Sequence, residues 1–384
     1  MKRSGKIGIA AGLAVIAAWA LAPGIVERRM NGVTRASVPV TDRARAIHAK
    51  YFVADLHADT TLWNRDLLAR GARGHVDVPR LVEGGVALQA FTIVTRTPRG
   101  MNIERNTADT DNITLLAVAE RWPIRTWASL TERALYQASK VTDAAARSNG
   151  QLSVIRTGAD LAAFETKRAA DRNAVAALIG VEGAHALEGD LANLDRLFDA
   201  GVRMMAPTHF FDTEVGGSAH GAIRGGLTPL GREWVKKMEA KKMIIDLAHA
   251  SPAAIDDILK MATRKVVVSH TGVRGTCDNQ RNLSDAQLAA ISSNGGVIGI
   301  GVWDAAVCGG DARAIAKAIE HAINVAGFEH VALGSDFDGA ITAPFDATGF
   351  PQITQALLDL GMDDTRIEGV LGGNVRRLLK TLLP

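Results

Sequence analysis

The sequence predicts an α/β fold, a TIM-like (β/α)8 barrel with metal-ligand residue types at its strand ends, and three observations carry that prediction. Short apolar runs occur about eight times, and most alternate with segments of helical periodicity, as repeated βα units require. Several runs stop at a residue able to ligate a metal or move a proton, namely His57, Glu182, His209, His249, His270 and Asp336. Barrel sites are assembled at the C-terminal strand ends, so chemistry and architecture point to one place. Finally, 384 residues with 47% hydrophobic content can bury a large core.

Taken in order, the chain opens with Lys2, Arg3 and Lys6, an uncharged stretch from Ile7 to Val26, and then Glu27, Arg28 and Arg29. Basic residues ahead of an apolar stretch predict an export signal or N-terminal anchor over residues 1–30. Ala20-Leu21-Ala22 offers a cleavage pattern, but Pro23 follows directly and the apolar core is long for a signal, which favours an uncleaved anchor over residues 7–26. Either reading sends the folded domain, residues 31–384, to the periplasmic or extracellular face, with membrane contact only through that segment.

A polar lead-in with a short helix at Asp42 to Lys50 feeds the first strand, Tyr51 to Asp59, and Val86 to Val94 is the second. From about Asn106 to Asn149 apolar residues recur at helical spacing with a break at Pro123, which marks an inserted helical connection. Ala176 to Glu182 is the third strand, Leu187 to Ala200 a helix, and Val202 to His209 the fourth strand. The Gly-rich loop from Gly216 to Gly226 is expected at the ligand end. Thr228-Pro229 starts a helix running to Lys241, and Met243 to His249 is strand five. Ser251-Pro252 caps the next helix, Val266 to His270 is strand six, Ser284-Asp285 starts another helix, and Gly296 to Trp303 is strand seven. An amphipathic helix from about Ala312 to Ala326 leads to strand eight, His330 to Asp336, and residues 363–383 close the chain as helix.

Lys and Arg total 44 against 41 Asp and Glu, so the net charge of +3 gives no electrostatic case for nucleic acid and favours a small-molecule partner. Cys277 and Cys308 sit in no metal-binding spacing and are read as two thiols that could pair only if the fold joined them.

The strand-end residues form a coherent set. On a strand, side chains two apart share a face, so His57 and Asp59 project together. With Glu182, His249 and His270 they supply neutral nitrogens and carboxylates suited to zinc or another divalent ion. Five ligands exceed the need of one open catalytic zinc but suit two metals sharing a carboxylate, whose ions lie roughly 3.5 to 4 Å apart. His48, His75, His321 and His330 read as structural or solvent-facing. His185 and His220 read as loop histidines. The glycine run in GGVIGIGVW lacks dinucleotide-site spacing and is read as close strand packing.

From about Phe52 to Leu379 the chain resembles the membrane dipeptidase (renal dipeptidase) family of zinc peptidases. The matching pieces are DLHADT at 55–60, VEGAHAL at 181–187, THF at 208–210, DLAHAS at 246–251, SHT followed by CDNQRN at 277–282, GSDFDG at 334–339 and GGN at 372–374. The resemblance implies two Zn2+ per chain, one on His57 and Asp59, the other on His249 and His270, with Glu182 bridging them. It implies hydrolysis of dipeptides, L-Xaa-L-Xaa and also L-Xaa-D-Xaa, by a metal-bridging hydroxide, with carbapenem-type β-lactams opened by some members. It further implies that His209 polarises the scissile carbonyl, that Arg281 holds the substrate carboxylate, and that Asp336 transfers the proton and contacts the substrate amine. A homodimer is a family habit. The loop after His209, FFDTEVGGSAHG, differs from the Asn-rich loop of the animal enzymes, so substrate preference is open.

Two alternatives follow from the same residues. Another binuclear-metal amidohydrolase would act on a cyclic amide, lactone or phosphoester, but many of those carry His-x-His on strand one and a bridging lysine on strand four, which this chain lacks. An inactive, exported, ligand-binding barrel would not hold metal.

Overall fold

A computed structural model describes residues 21–384. Most of the expected anchor, residues 1–20, lies outside the described residues. Residues 21–30 are helical and pack against the domain, with Glu27 fully buried. Among the described residues no helix is long and apolar enough to cross a membrane.

Eight parallel strands form the barrel: β1 Val53–Ala58, β2 Val86–Phe91, β3 Val175–Val181, β4 Val202–Met205, β5 Ile244–Ile245, β6 Val267–Thr271, β7 Val297–Ile300 and β8 Val331–Leu333. Each pairs with its sequence neighbour, and β1 pairs with β8. The ring closes between β5 and β6 through a single bridge, Asp246 to Val267, where the Leu247 amide donates to the Val267 carbonyl at 2.8 Å. The strands are buried on both faces, which is why they read as continuous apolar runs.

Most strands are shorter than their apolar runs predict, β4, β5, β7 and β8 by four residues or more, and β4 and β5 end for local reasons. Pro207 cannot donate to a ladder and follows β4 closely. After Ile245 the Asp246 carboxylate turns back, accepting from the Ala248 and Ser269 amides at 3.0 and 2.8 Å. The expected helices are present with caps that explain their starts: Thr228 ahead of Pro229, Ser251 ahead of Pro252, and a Ser284–Gln287 capping box. The insertion folds as Ile113–Ala119 and Leu130–Arg147 on either side of Pro123. Buried Arg133 fastens it to the end of β2, donating to Thr95 O and Asp111 Oδ2, both at 2.7 Å. Unread in the sequence were an edge strand, Leu152–Val154, the helices Gly158–Ala170 and Phe350–Asp359, and the strand pair Gly32–Val33 with Thr342–Ala343.

The barrel's interior is filled by Ala54, Leu56, Leu88, Leu178 and Met204, and its N-terminal end is plugged by Val375, Leu378 and Leu382 of the helix Asn374–Leu382. Gly372 lets that helix approach, because a Cβ there would lie 2.2 Å from the Phe52 carbonyl oxygen. With one end sealed, the open face is the C-terminal one.

Candidate metal centre and active site

His57 and Asp59, separated by one residue at the end of β1, are both buried, with His57 Nε2 3.4 Å from Asp59 Oδ1. The Thr92 hydroxyl donates to that same oxygen at 2.6 Å and fixes the carboxylate's direction. Glu182, the residue after β3, stands at the centre. Its Oε1 is 2.9 Å from His249 Nε2, 3.3 Å from His270 Nε2 and 3.8 Å from His57 Nε2, while Oε2 is 3.2 Å from His209 Nε2. Asp336 Oδ1 reaches to 4.0 Å from His57 Nε2. Every residue predicted as ligand or proton carrier is thus in one cluster.

The grouping within it is tighter than the predicted two pairs. Ligand atoms of His57, Glu182 and His270, of Glu182, His209 and His249, and of His57, Asp59 and Asp336 each lie within 4.8 Å of one another. Glu182 belongs to two of these groups, and His209 sits as close to it as the predicted ligands do. His57 Nε2 and Glu182 Oε1 have no hydrogen-bond partner, and the Nε2 atoms of His249 and His270 face each other at 3.0 Å. Buried imidazole nitrogens and carboxylate oxygens brought this close repel wherever their lone pairs meet, and a cation among them relieves that cost, so this set fits divalent metal.

At three of the histidines electrostatics point the same way. Burial pulls His209, His249 and His270 well below the ordinary histidine value, leaving their nitrogen lone pairs free. Burial also drives the Glu182 carboxyl well above its usual range, against the pull of His57. At His57 burial is outweighed by the Glu182 and Asp59 carboxylates, which hold its pKa up at about 10. Burial raises Asp336 to about 7, with His57 restraining it.

The backbone is strained where it aims ligands. His249 and Asp336 adopt φ of 61° and 63°, a left-handed conformation that costs a non-glycine residue roughly 1–3 kcal/mol. Between Asp338 and Ala340, only glycine fits at 339, since a Cβ would lie 2.3 Å from Asp336 Oδ1 and 3.1 Å from Asp59 Oδ2. The buried Asp338 carboxylate accepts from Arg65 Nη2 at 2.7 Å, Thr60 Oγ1 at 2.8 Å and the His75 amide at 2.7 Å.

Arg281 lies on the loop after β6, buried, with Nη2 2.9 Å from His270 O and its guanidinium carbon 5.4 Å from the Trp303 ring centre. The reading of Cys277 and Cys308 as separate thiols is corrected here, because they form a disulfide with Cα atoms 5.2 Å apart. They are distant in sequence, but the loops after β6 and β7 are spatial neighbours because their strands pair. The bridge therefore closes the Arg281 loop onto the segment that carries Trp303.

Other residues escaped the sequence reading. Ser269 Oγ lies 2.9 Å from His57 Nδ1 and 3.0 Å from His270 Nδ1, able to accept from both and leave both Nε2 atoms to a metal. His209 and His249 have no such partner at Nδ1. Asp55 pins the exit from β8 that leads to Asp336, accepting from the Ser335 amide and hydroxyl at 2.7 and 2.6 Å. His220 is buried against the site, its ring 4.8 Å from Phe210 and 5.2 Å from His249, and His185 is buried beside Phe211.

Above the cluster opens a cavity of about 500 Å³, lined at its base by Asp59, Glu182, His209, His249, Arg281 and Asp336.

A family model described as membrane dipeptidase (peptidase family M19) matches residues 41–382. An uncharacterized protein in the pqqA 5' region of Klebsiella pneumoniae is 32% identical over 253 residues, covering 62% of this chain and 91% of that one. Dipeptidase aclJ of Aspergillus oryzae is 33% identical over 215 residues, covering 53% of this chain and 51% of its own, and dipeptidase 3 of Mus musculus is 32% identical over 219 residues, covering 54% and 44%. The matches thus span about half the length of these two dipeptidases. Among solved structures, a metallo peptidase from Rhodobacter sphaeroides liganded with a phosphinate mimic of the dipeptide L-Ala-D-Ala superposes with a TM-score of 0.70 at 24% identity, covering 86% of this chain and 99% of that one. The dipeptidase AC, a metallo peptidase of family M19, gives 0.69 at 25% identity, covering 87% and 99%.

Proposed function

The chain belongs to the membrane dipeptidase family, peptidase family M19, and we propose on that premise that it is a binuclear zinc dipeptidase cleaving L,L- and L,D-dipeptides. The observation that carries this is the convergence of His57, His249 and His270 nitrogens on one oxygen of Glu182.

His57, Asp59, Glu182, His249 and His270 would hold the two ions, which when bound supply Lewis-acid polarisation and a water acidified to a pKa of about 7. Arg281 binds the substrate carboxylate with its guanidinium fork, and Trp303 steadies that fork from one side. His209 donates to the carbonyl oxygen as negative charge develops there. Asp336 takes the proton of the attacking water and returns it to the departing amine. The requirement for a carboxylate at a set distance from the scissile bond selects dipeptides over longer chains. The central carboxylate Glu182, and the absence of a lysine at the end of β4, favour this reading over other binuclear amidohydrolases.

We also propose export across the cytoplasmic membrane. Supporting it are the basic residues ahead of the uncharged stretch 7–26 and the Cys277–Cys308 disulfide, a bond that persists in oxidising compartments.

The test is hydrolysis of L,L- and L,D-dipeptides and of their C-terminal amides by the zinc-loaded and the chelated protein, followed with ninhydrin. Metal-dependent cleavage of the free acids, with the amides turned over far more slowly, is expected. A protein holding two metals that cleaves none of them is not a dipeptidase.

A further inference from the structure

The helical segment 21–30 ends over the barrel mouth and is fastened there from both sides. The fully buried Glu27 pairs with Arg65 Nε at 2.5 Å and with Arg73, and Arg65 in turn pairs with Asp338 at 2.7 Å. Four residues later the Ala340 amide donates to Asn31 Oδ1 at 3.0 Å, and Gly32–Val33 pairs in parallel with Thr342–Ala343. Residues 26–33 are thereby tied to the loops after β1 and β8, the loops that carry Asp59 and Asp336.

Val26 and Met30, one helical turn apart, line the active-site cavity together with Leu62, Val94, Ile113 and Ile341. These four come from the loops after β1, β2 and β8. Arg281 comes from the loop after β6, on the other side of the Glu182-centred ligand cluster. A dipeptide held by its carboxylate at Arg281, with its scissile carbonyl beside His209, directs its first residue away from Arg281 and toward this apolar wall. A cavity of about 500 Å³ has room for far more than a methyl group at that end.

Resting on the dipeptidase reading, we infer that Val26 and Met30 are specificity-determining residues, and that the preferred substrates are dipeptides whose N-terminal residue carries a large apolar side chain, such as leucine, methionine or phenylalanine. The segment that joins the apolar N-terminus to the domain is part of the substrate site. Glu27 is its fastener, because both arginines that receive it stand on the β1 side of the mouth.

The experiment measures kcat/KM of the zinc-loaded full chain for Phe-Ala, Leu-Ala and Gly-Ala. Apolar contacts discriminate roughly 10- to 200-fold for a single methylene, so Phe-Ala should exceed Gly-Ala by about 100-fold or more. Val26→Trp and Met30→Trp fill the wall's recess, and each should collapse the Phe-Ala to Gly-Ala ratio by about 10-fold. Glu27→Gln, which releases the segment without adding bulk, should lower the same ratio. Equal rates for the three peptides, or a ratio that neither tryptophan moves, overturns the inference while leaving the dipeptidase reading intact. If the metal-loaded protein cleaves no dipeptide, that reading falls and takes this inference with it.

Discussion

The Ser269 hydroxyl stands 2.9 Å from Nδ1 of His57, a contact that joins β6 to β1 across the barrel interior. The same oxygen lies 3.0 Å from His270 Nδ1. One small side chain thus fixes the orientation of two imidazoles. Ser269→Ala should leave the fold intact and weaken metal binding by roughly 10- to 100-fold, the usual cost of losing a group that orients a ligand. Competition against a chromophoric chelator reads this directly, and an affinity within twofold of the parent would count against the role.

Metal should also be a stability determinant. A cation bound among Glu182, His57, His249 and His270 stabilises only the folded state, by about 4 kcal/mol at a thousandfold excess over Kd. Calorimetric scans with excess zinc and after chelation should therefore differ by several degrees, and the difference should shrink markedly in Glu182→Gln. Identical scans in zinc and chelator would refute metal binding in the folded protein.

Replacing Arg281 with lysine keeps the charge but loses the fork. Charged hydrogen bonds of this kind are worth about 1.5–3 kcal/mol, so kcat/KM for dipeptides should fall by about 10²-fold, chiefly through KM. Turnover of dipeptide amides, slow in the parent, should change little. A uniform loss on both substrate types would mean that Arg281 supports the fold instead of reading the carboxylate.

Much of this site was legible because parallel strands put their chemistry at their ends. His57, Asp59, Glu182, His249 and His270 each terminate an apolar run, and GSDFDG marks the last strand. What was not legible depends on contacts between distant elements. Ser269 precedes His270 and by simple alternation would face away from it, yet a register shift in the β6–β7 ladder between Val268 and Thr271 brings its hydroxyl to that ring. The disulfide needed the β6–β7 pairing to be known. Glu27 read as a flanking charge, and only the positions of Arg65 and Arg73 reveal it as a buried anchor.

Opening the Cys277–Cys308 bond should loosen the Arg281 loop. The two residues are 31 apart, and closing a loop of that length is worth about 3 to 4 kcal/mol in the unfolded-chain entropy model. The paired Cys277→Ser, Cys308→Ser variant should lose stability of that order in denaturant titration and show a raised KM for dipeptides. An unchanged KM would separate the bridge from substrate binding.

His48 supplies a pH signature away from the candidate metal site. It is buried between helix 42–50 and the Phe350–Asp359 helix, with Nε2 2.8 Å from Gly84 O and Nδ1 2.8 Å from Thr354 Oγ1. Burial lowers its pKa to about 4, against the Gly84 hydrogen bond, which raises it. The unfolded chain therefore binds the extra proton first, and this contribution, full above pH 6.5, is lost as pH falls toward 4. The loss amounts to about 3 kcal/mol. His48→Gln should flatten that part of the stability profile, and parallel profiles for the two proteins would contradict the assignment.

The seam between β5 and β6 has a kinetic meaning. One bridge at Asp246, one amide bond from Leu247 and the Asp246 carboxylate on the Ser269 amide hold it, where the neighbouring seams have longer ladders. His249 follows one side of the seam and His270 lies on the other, their nitrogens 3.0 Å apart. A cation gripped by both would act as a clasp, so the metal-free barrel is expected to open at this seam more often than the metal-loaded one. Deuterium should then enter the Leu247 amide quickly in the chelated protein and slowly in the zinc-loaded one, making metal release and local opening a single event.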